Sequence, residues 1–137
     1  MVRRVWPRLP AEQMSNADIA RDGFAAIARG DFDATTEFLD PDVKWHGGNP
    51  ADGCQNRKQA LAWIRGRGDR KAGAMPELVD VVAAGDRVAV IMQAAPTGED
   101  PQPRRTANLA TFRDGRVVEM VHYDDAAAAL AALGPPA

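Results

Sequence analysis

Two turn dipeptides, each set between stretches of alternating apolar residues, constrain this chain most. From Pro76 onward apolar side chains recur at every second position, the spacing of a half-buried strand. Glu77 to Ala84 and Arg87 to Ala94 flank Gly85-Asp86, while Arg104 to Arg113 and Arg116 to Asp124 flank Asp114-Gly115, a strong short-range hairpin signal. Before Pro76 the period is helical. Ser15, with Asp18 three residues on, opens a first helix carrying Ile19, Gly23, Phe24, Ala26 and Ile27 up to Gly30. Asp31 opens a short second helix through Phe32, Thr35, Phe38 and Leu39, which ends at Asp40-Pro41. Val43 to His46 is a brief strand, and Asn56 caps a third helix with Ala60, Leu61, Trp63 and Ile64 on its buried side. A basic, glycine-containing connection runs from Arg70 through Lys71 and Gly73 to Met75. Asp125 caps a final helix of alanines and leucines that stops at Gly134. Helices followed by paired strands predict an α+β domain.

Domain limits follow from the same punctuation. Residues 1–14 carry two prolines and no sustained period, so they are expected to be a flexible tail, with the native start at Met14; residues 15–137 form a single domain. A chain of 137 residues, 45% hydrophobic, can build one core without cross-links. Cys54 is the one cysteine, which excludes an internal disulfide and points to a reducing, cytoplasmic setting. The net charge of -2 comes from interspersed acids and bases, so there is no basic face for a nucleic acid. No apolar run approaches the roughly 20 residues that span a bilayer, and neither insertion nor secretion is expected. His46 and His122, even with Asp52 or Asp124, match no compact metal-ligand spacing, so no metal or cofactor is expected.

A two-residue loop at Asp114-Gly115 sets Arg113 opposite Arg116 and fixes the register of the last hairpin. One face then carries Val118, Met120, His122 and Asp124, with Thr111, Leu109, Ala107 and Arg105 across from them. The other carries Val117, Glu119, Val121 and Tyr123, with Phe112, Ala110, Asn108 and Thr106. A central carboxylate is costly to bury, so the Glu119 face is expected outside and the first face concave. In the preceding hairpin the same logic sets Val79 opposite Met92, Val81 opposite Val90 and Ala83 opposite Val88. Arg105 would pair with Asp124, which could orient the His122 imidazole, and the small Ala107 would leave room before that ring. Histidine changes charge near neutral pH, which makes His122 the leading proton carrier. Val118, Met120, Leu109 and Ala107, with Phe24, Trp45 and Trp63 from the earlier elements, are the expected pocket walls. The outer face bearing Phe112, Val117, Val121 and Tyr123 is the expected surface of a homodimer.

The element order, with Gly30-Asp31-Phe32, Phe38-Leu39-Asp40-Pro41-Asp42-Val43-Lys44-Trp45 and Asp114-Gly115-Arg116-Val117-Val118-Glu119, resembles the SnoaL-like branch of the nuclear transport factor 2-like superfamily over roughly residues 15 to 133. The resemblance implies a curved antiparallel sheet wrapped around the N-terminal helices as a cone with an internal pocket. It also implies cofactor-free chemistry on small apolar compounds, since the superfamily holds isomerases, polyketide cyclases, epoxide hydrolases and dehydratases beside non-catalytic binding modules. His46 is similar in position to the isomerase general-base aspartate, and His122 to a catalytic aspartate of the epoxide hydrolases. The second isomerase acid has no counterpart between Arg105 and Phe112, and Tyr123 is the one tyrosine, which argues against steroid isomerisation. The expectation is an acid-base isomerase, cyclase, dehydratase or hydrolase using His122, Asp124, Arg105 and His46. The alternative is a binding or dimerisation module of the same fold.

Overall fold

The computed structural model describes residues 15–70 and 76–134, so the tail at 1–14 and most of the basic connection lie outside the described residues. The elements run α1 (Asn16–Ala28), α2 (Phe32–Phe38), β1 (Leu39–His46), α3 (Arg57–Arg70), β2 (Glu77–Ala84), β3 (Arg87–Gln93), β4 (Arg105–Arg113), β5 (Arg116–Tyr123) and α4 (Ala126–Leu133). This is the α+β architecture the sequence predicts. No described helix is long and apolar enough to cross a membrane.

The helix starts follow from side chains that satisfy free backbone donors. At α1 the Asp18 N–H donates to Ser15 Oγ at 3.1 Å and the Ser15 N–H donates to the Asp18 carboxylate at 3.4 Å, a reciprocal capping box. Asp31 accepts from the Ala34 N–H at 3.1 Å and opens α2; that bond, with smaller help from Arg29, holds its carboxyl below the usual value. A carboxyl lowered on folding stabilises above its unfolded value, and this support fades as pH falls through the lowered one. Asp125 caps α4 by accepting from the Ala127 N–H at 3.0 Å.

The five strands form one sheet in the order β1-β5-β4-β3-β2. β2 to β5 are antiparallel neighbours, whereas β1 runs parallel to β5, so the sheet is mixed. Both of its faces are covered. Val88, Val90 and Met92 of β3 join the main core with Ile19 and Ala20 of α1, while Ala89 and Ile91 meet α4 through Leu133, Ala126 and Ala129. That double cover explains why β3 is buried from Val88 through Met92.

Each hairpin carries one extra residue that strict alternation does not anticipate. In β2 the pairing runs Leu78 with Met92 and then Asp80 with Ile91, which leaves Val79 exposed rather than opposite Met92; Val81 with Val90 and Ala83 with Val88 stand as expected. In β5, Arg116 and Val117 face Arg113 and Phe112, but Glu119 then faces Thr111, so Val118 is the surplus residue. Side chains alternate with period two, so one inserted residue exchanges the faces of all that follows relative to the partner strand. Leu109 and Ala107 consequently sit on the α4 side, and Asn108, Ala110 and Phe112 replace them on the concave side. The surface expected to pair two copies is split, because Phe112 and Val117 point inward while Tyr123 packs beside α4.

Aspartate substitutions distinguish this register from a regular hairpin. Val117 is 1% exposed whereas Val118 is half-buried, so Val117→Asp should cost about 3 kcal/mol or more in chemical denaturation and Val118→Asp distinctly less. The reverse order would return the hairpin to uninterrupted alternation.

Candidate functional site

Between α1 and the concave face of the sheet lies a cavity of about 40 Å³. Ala20, Gly23, Phe24 and Ile27 of α1 form one wall, and Phe38 and Trp45 stand at its side. Val90, Asn108, Ala110, Phe112, Val117 and Met120 form the sheet wall. Ala20, Gly23 and Ala110 are the small residues of this lining. A Cβ on Gly23 would lie 2.7 Å from the Phe38 ring, so the Phe38 ring occupies the room left by the missing side chain.

Asn108 is the polar side chain in this lining. Its Oδ1 lies 2.9 Å from His122 Nδ1, and β4–β5 pairing sets the two residues directly opposite one another. The other ring nitrogen, Nε2, lies 3.2 Å from Asp124 Oδ1. Both partners are oxygen acceptors. The arrangement therefore suits a ring with protons on both nitrogens, donating once to an amide and once to a carboxylate. His122 has 42% of its side-chain surface exposed and Asp124 93%, so the Asp124 contact is strongly screened and the Asn108 contact is the sheltered one.

The remaining sequence-predicted residues fall in different places. Trp45, Met120 and Phe24 line the cavity, but Val118, Leu109, Ala107 and Trp63 do not. Trp63 sits on α3 with its ring centroid 5.7 Å from that of Trp45 and is 42% exposed, so it backs the wall from outside. Arg105 is exposed and donates through Nε to Gln93 Oε1 at 3.3 Å instead of pairing with Asp124. The shift at Val118 is the cause, because it moves Asp124 one position away from Arg105.

His46 belongs to the opposite side of the sheet. Its neighbour Trp45 pairs with Met120 and faces the cavity, so His46 pairs with Val121 and faces away. There its side chain, 4% exposed, lies 3.0 Å from Glu119 through Nε2 and accepts the Gly48 N–H at Nδ1, also at 3.0 Å. A ring that accepts at Nδ1 carries its proton on Nε2, so His46 is neutral and donates to Glu119. This pair explains how Glu119 stays at the sheet surface beside a nearly buried imidazole. It also anchors the 47–53 loop, which folds back so closely that a Cβ on Gly53 would meet the Trp45 carbonyl and the His46 side chain. Next to that loop, Cys54 exchanges backbone hydrogen bonds with Trp45 at 2.8 and 3.0 Å, and burial pushes its thiol up. Among the described residues no group of three or more His, Cys, Asp or Glu side chains converges as a metal site.

Asn108 is the residue that sequence reasoning missed. Alternation alone placed it on the outer face, and no local signal marks the bulge, because adjacent apolar pairs such as Val81-Val82 sit in regular register in the same sheet.

The SnoaL-like domain family matches residues 20–120. The chain belongs to that family. Bal32a, from a soil-derived mobile gene cassette, is 28% identical and superposes with a TM-score of 0.67, covering 82% of this chain and 89% of its own. A candidate polyketide cyclase from Sinorhizobium meliloti is 20% identical, with a TM-score of 0.65 over 83% of this chain and 99% of its own. IdmH, a candidate polyketide cyclase from Streptomyces antibioticus, is 22% identical, with a TM-score of 0.65 over 80% of this chain and 91% of its own. The last two likenesses speak for the fold. No curated protein matches the sequence.

The assignment of His46 to the loop anchor has a direct check. His46→Ala should lower the unfolding free energy by about 1–3 kcal/mol, because it strands the Gly48 N–H and removes the partner of Glu119. A variant as stable as the parent in denaturant titration would contradict that assignment.

Proposed function

We propose that this SnoaL-like protein is a cofactor-independent acid-base catalyst for a compact, mostly apolar molecule that carries a carbonyl or hydroxyl oxygen. The observation that carries this reading is the single polar wall of the cavity: the Asn108 amide, tied to the His122 imidazole at 2.9 Å. An apolar cavity with one sheltered polar group binds an oxygen against that group and the carbon skeleton against the rest. With a substrate oxygen held on its NH2 end, Asn108 keeps Oδ1 on the His122 Nδ1–H, and the neutral ring takes or returns the proton at the adjacent carbon through Nε2. The electron pair left by that proton moves toward the oxygen, which the amide stabilises. Asp124 steadies the charged ring from solvent. Isomerase, cyclase and dehydratase reactions contain such a step, a hydrolase would use the same ring to deprotonate a water, and two structural relatives carry the name of candidate polyketide cyclases.

The cavity volume limits the ligand. About 40 Å³ holds a few water molecules, well below the several hundred that a drug-sized ligand fills. A substrate therefore either is very small or enters by displacing flexible lining such as Met120, with its bulk extending toward His122. A second reading, a non-catalytic binding module, draws on the absence of any acid or base from the described lining itself.

Exchange of carbon-bound hydrogen separates the two readings without a known substrate. In D2O the protein should accelerate deuterium uptake next to the carbonyl of small cyclic ketones, followed by NMR. His122→Ala should slow that uptake by about 100-fold or more while keeping ketone binding, read from Trp45 fluorescence. Binding with equal exchange in parent and variant would establish the binding module instead.

A further inference from the structure

We propose that Asn108 is a two-position hydrogen-bond switch set by His122, so that the cavity presents a donor when the ring is charged and an acceptor when it is neutral. The inference rests on the cavity being the ligand site and adds what decides which ligand chemistry the site accepts.

In the observed state His122 Nδ1 meets the oxygen end of the Asn108 amide and Nε2 meets the Asp124 carboxylate. With Oδ1 taken by the ring, the NH2 end is the one left for a ligand in the cavity that Asn108 lines. This is the donor state. It suits a ligand that accepts, such as a ketone.

When the ring loses one proton, one of its two contacts must change. With the proton on Nε2 and the amide turned the ring keeps both hydrogen bonds, whereas a proton on Nδ1 leaves a lone pair facing the Asp124 carboxylate, so the first arrangement wins although the Asp124 contact is screened. Nδ1 then becomes a lone pair facing Asn108 Oδ1, two acceptors 2.9 Å apart. A half-turn of the amide about its last bond relieves this at little packing cost, because the oxygen and nitrogen ends have nearly the same shape. The NH2 group then donates to Nδ1, and Oδ1 faces the cavity. This is the acceptor state, suited to a ligand that donates. Asp124, exposed as it is, would thus be a positioning residue that selects the ring tautomer.

The surroundings leave few other groups to set the ring's charge. Among the described residues, Asp124 is the charged side chain within ion-pair distance of His122, and Asn108 from β4 is neutral. On the other flank the β1–β5 pairing ends at His46 with Val121, and the His46 ring lies on the opposite face against Glu119. From α1 the cavity beside Asn108 receives the uncharged Phe24 and Ile27.

Cyclopentanone, which only accepts, and pyrrole, whose ring N–H only donates, are five-membered probes of similar size. Titrated by NMR at pH 5 and pH 8.5, the ratio of their affinities should swing about tenfold toward pyrrole at the higher pH, the effect of leaving one sheltered hydrogen bond unmade. Asn108→Leu should make the ratio independent of pH. Asp124→Asn, which removes the ionised acceptor, should shrink the swing. In the ligand-free protein, the Asn108 amide protons should show contacts to the methyl groups of Val90 and Met120 at pH 5 and to the His122 ring at pH 8.5. Amide contacts that stay the same at both pH values overturn the switch, as does a ratio that ignores pH while both probes bind. A switching amide with neither probe bound overturns the link to ligand choice and also counts against the cavity as the ligand site, whereas deuterium exchange without switching removes the switch alone.

Discussion

One surplus residue in β5 decides which side chains meet on the concave face of the sheet. Because Val118 has no partner in β4, the strand passes Thr111 one residue late, and every later pair shifts by one position. Without that shift Ala107 would face His122 and Arg105 would face Asp124. With it, Asn108 faces His122, and Ala110 and Phe112 join Met120 and Val117 around a cavity. Backbone irregularity thus decides which side chain of β4 stands beside His122.

The sheet can hold a cavity on one side because the other side is closed by packing. α4 lays Ala126, Ala129 and Leu133 on Ala107, Leu109, Ala89 and Ile91, mostly small residues that allow close approach. Burial there adds stability that does not depend on filling the concave face. The concave face is filled incompletely, with Ala20 and Ala110 small beside the space that Phe24, Phe38 and Met120 border, and with Phe38 seated where Gly23 lacks a side chain. The two histidines illustrate the division. His46 is nearly sealed, neutral and tied to a loop, whereas His122 is partly open, meets two acceptors and touches the polar wall.

Much of the fold was legible because its signals are local. Ser15, Asp31 and Asp125 cap helices through their own side chains, and Asp114 and Gly115 take the positive φ values of 54° and 78° that their turn requires. The family follows from the same short motifs. The site was less legible because its determinants are not local. A bulge changes the face of distant residues without altering composition, so Asn108 was hidden while Met120 and His122 kept their side. The pairing of β1 with β5 spans more than 70 positions in sequence, and it alone turns His46 toward Glu119. The α4 cover could not be inferred from an alanine-rich helix whose partner lies on another element.

The central claim is that ligands enter the space between α1 and the concave sheet and present an oxygen to Asn108. A crystal structure of the protein grown with cyclopentanone tests it most directly. The account predicts density for the ring among Phe24, Trp45 and Met120, with the ketone oxygen within about 3.2 Å of the Asn108 amide nitrogen. A ketone bound elsewhere, with Phe24, Phe38 and Met120 closed together over an empty wall, would contradict it.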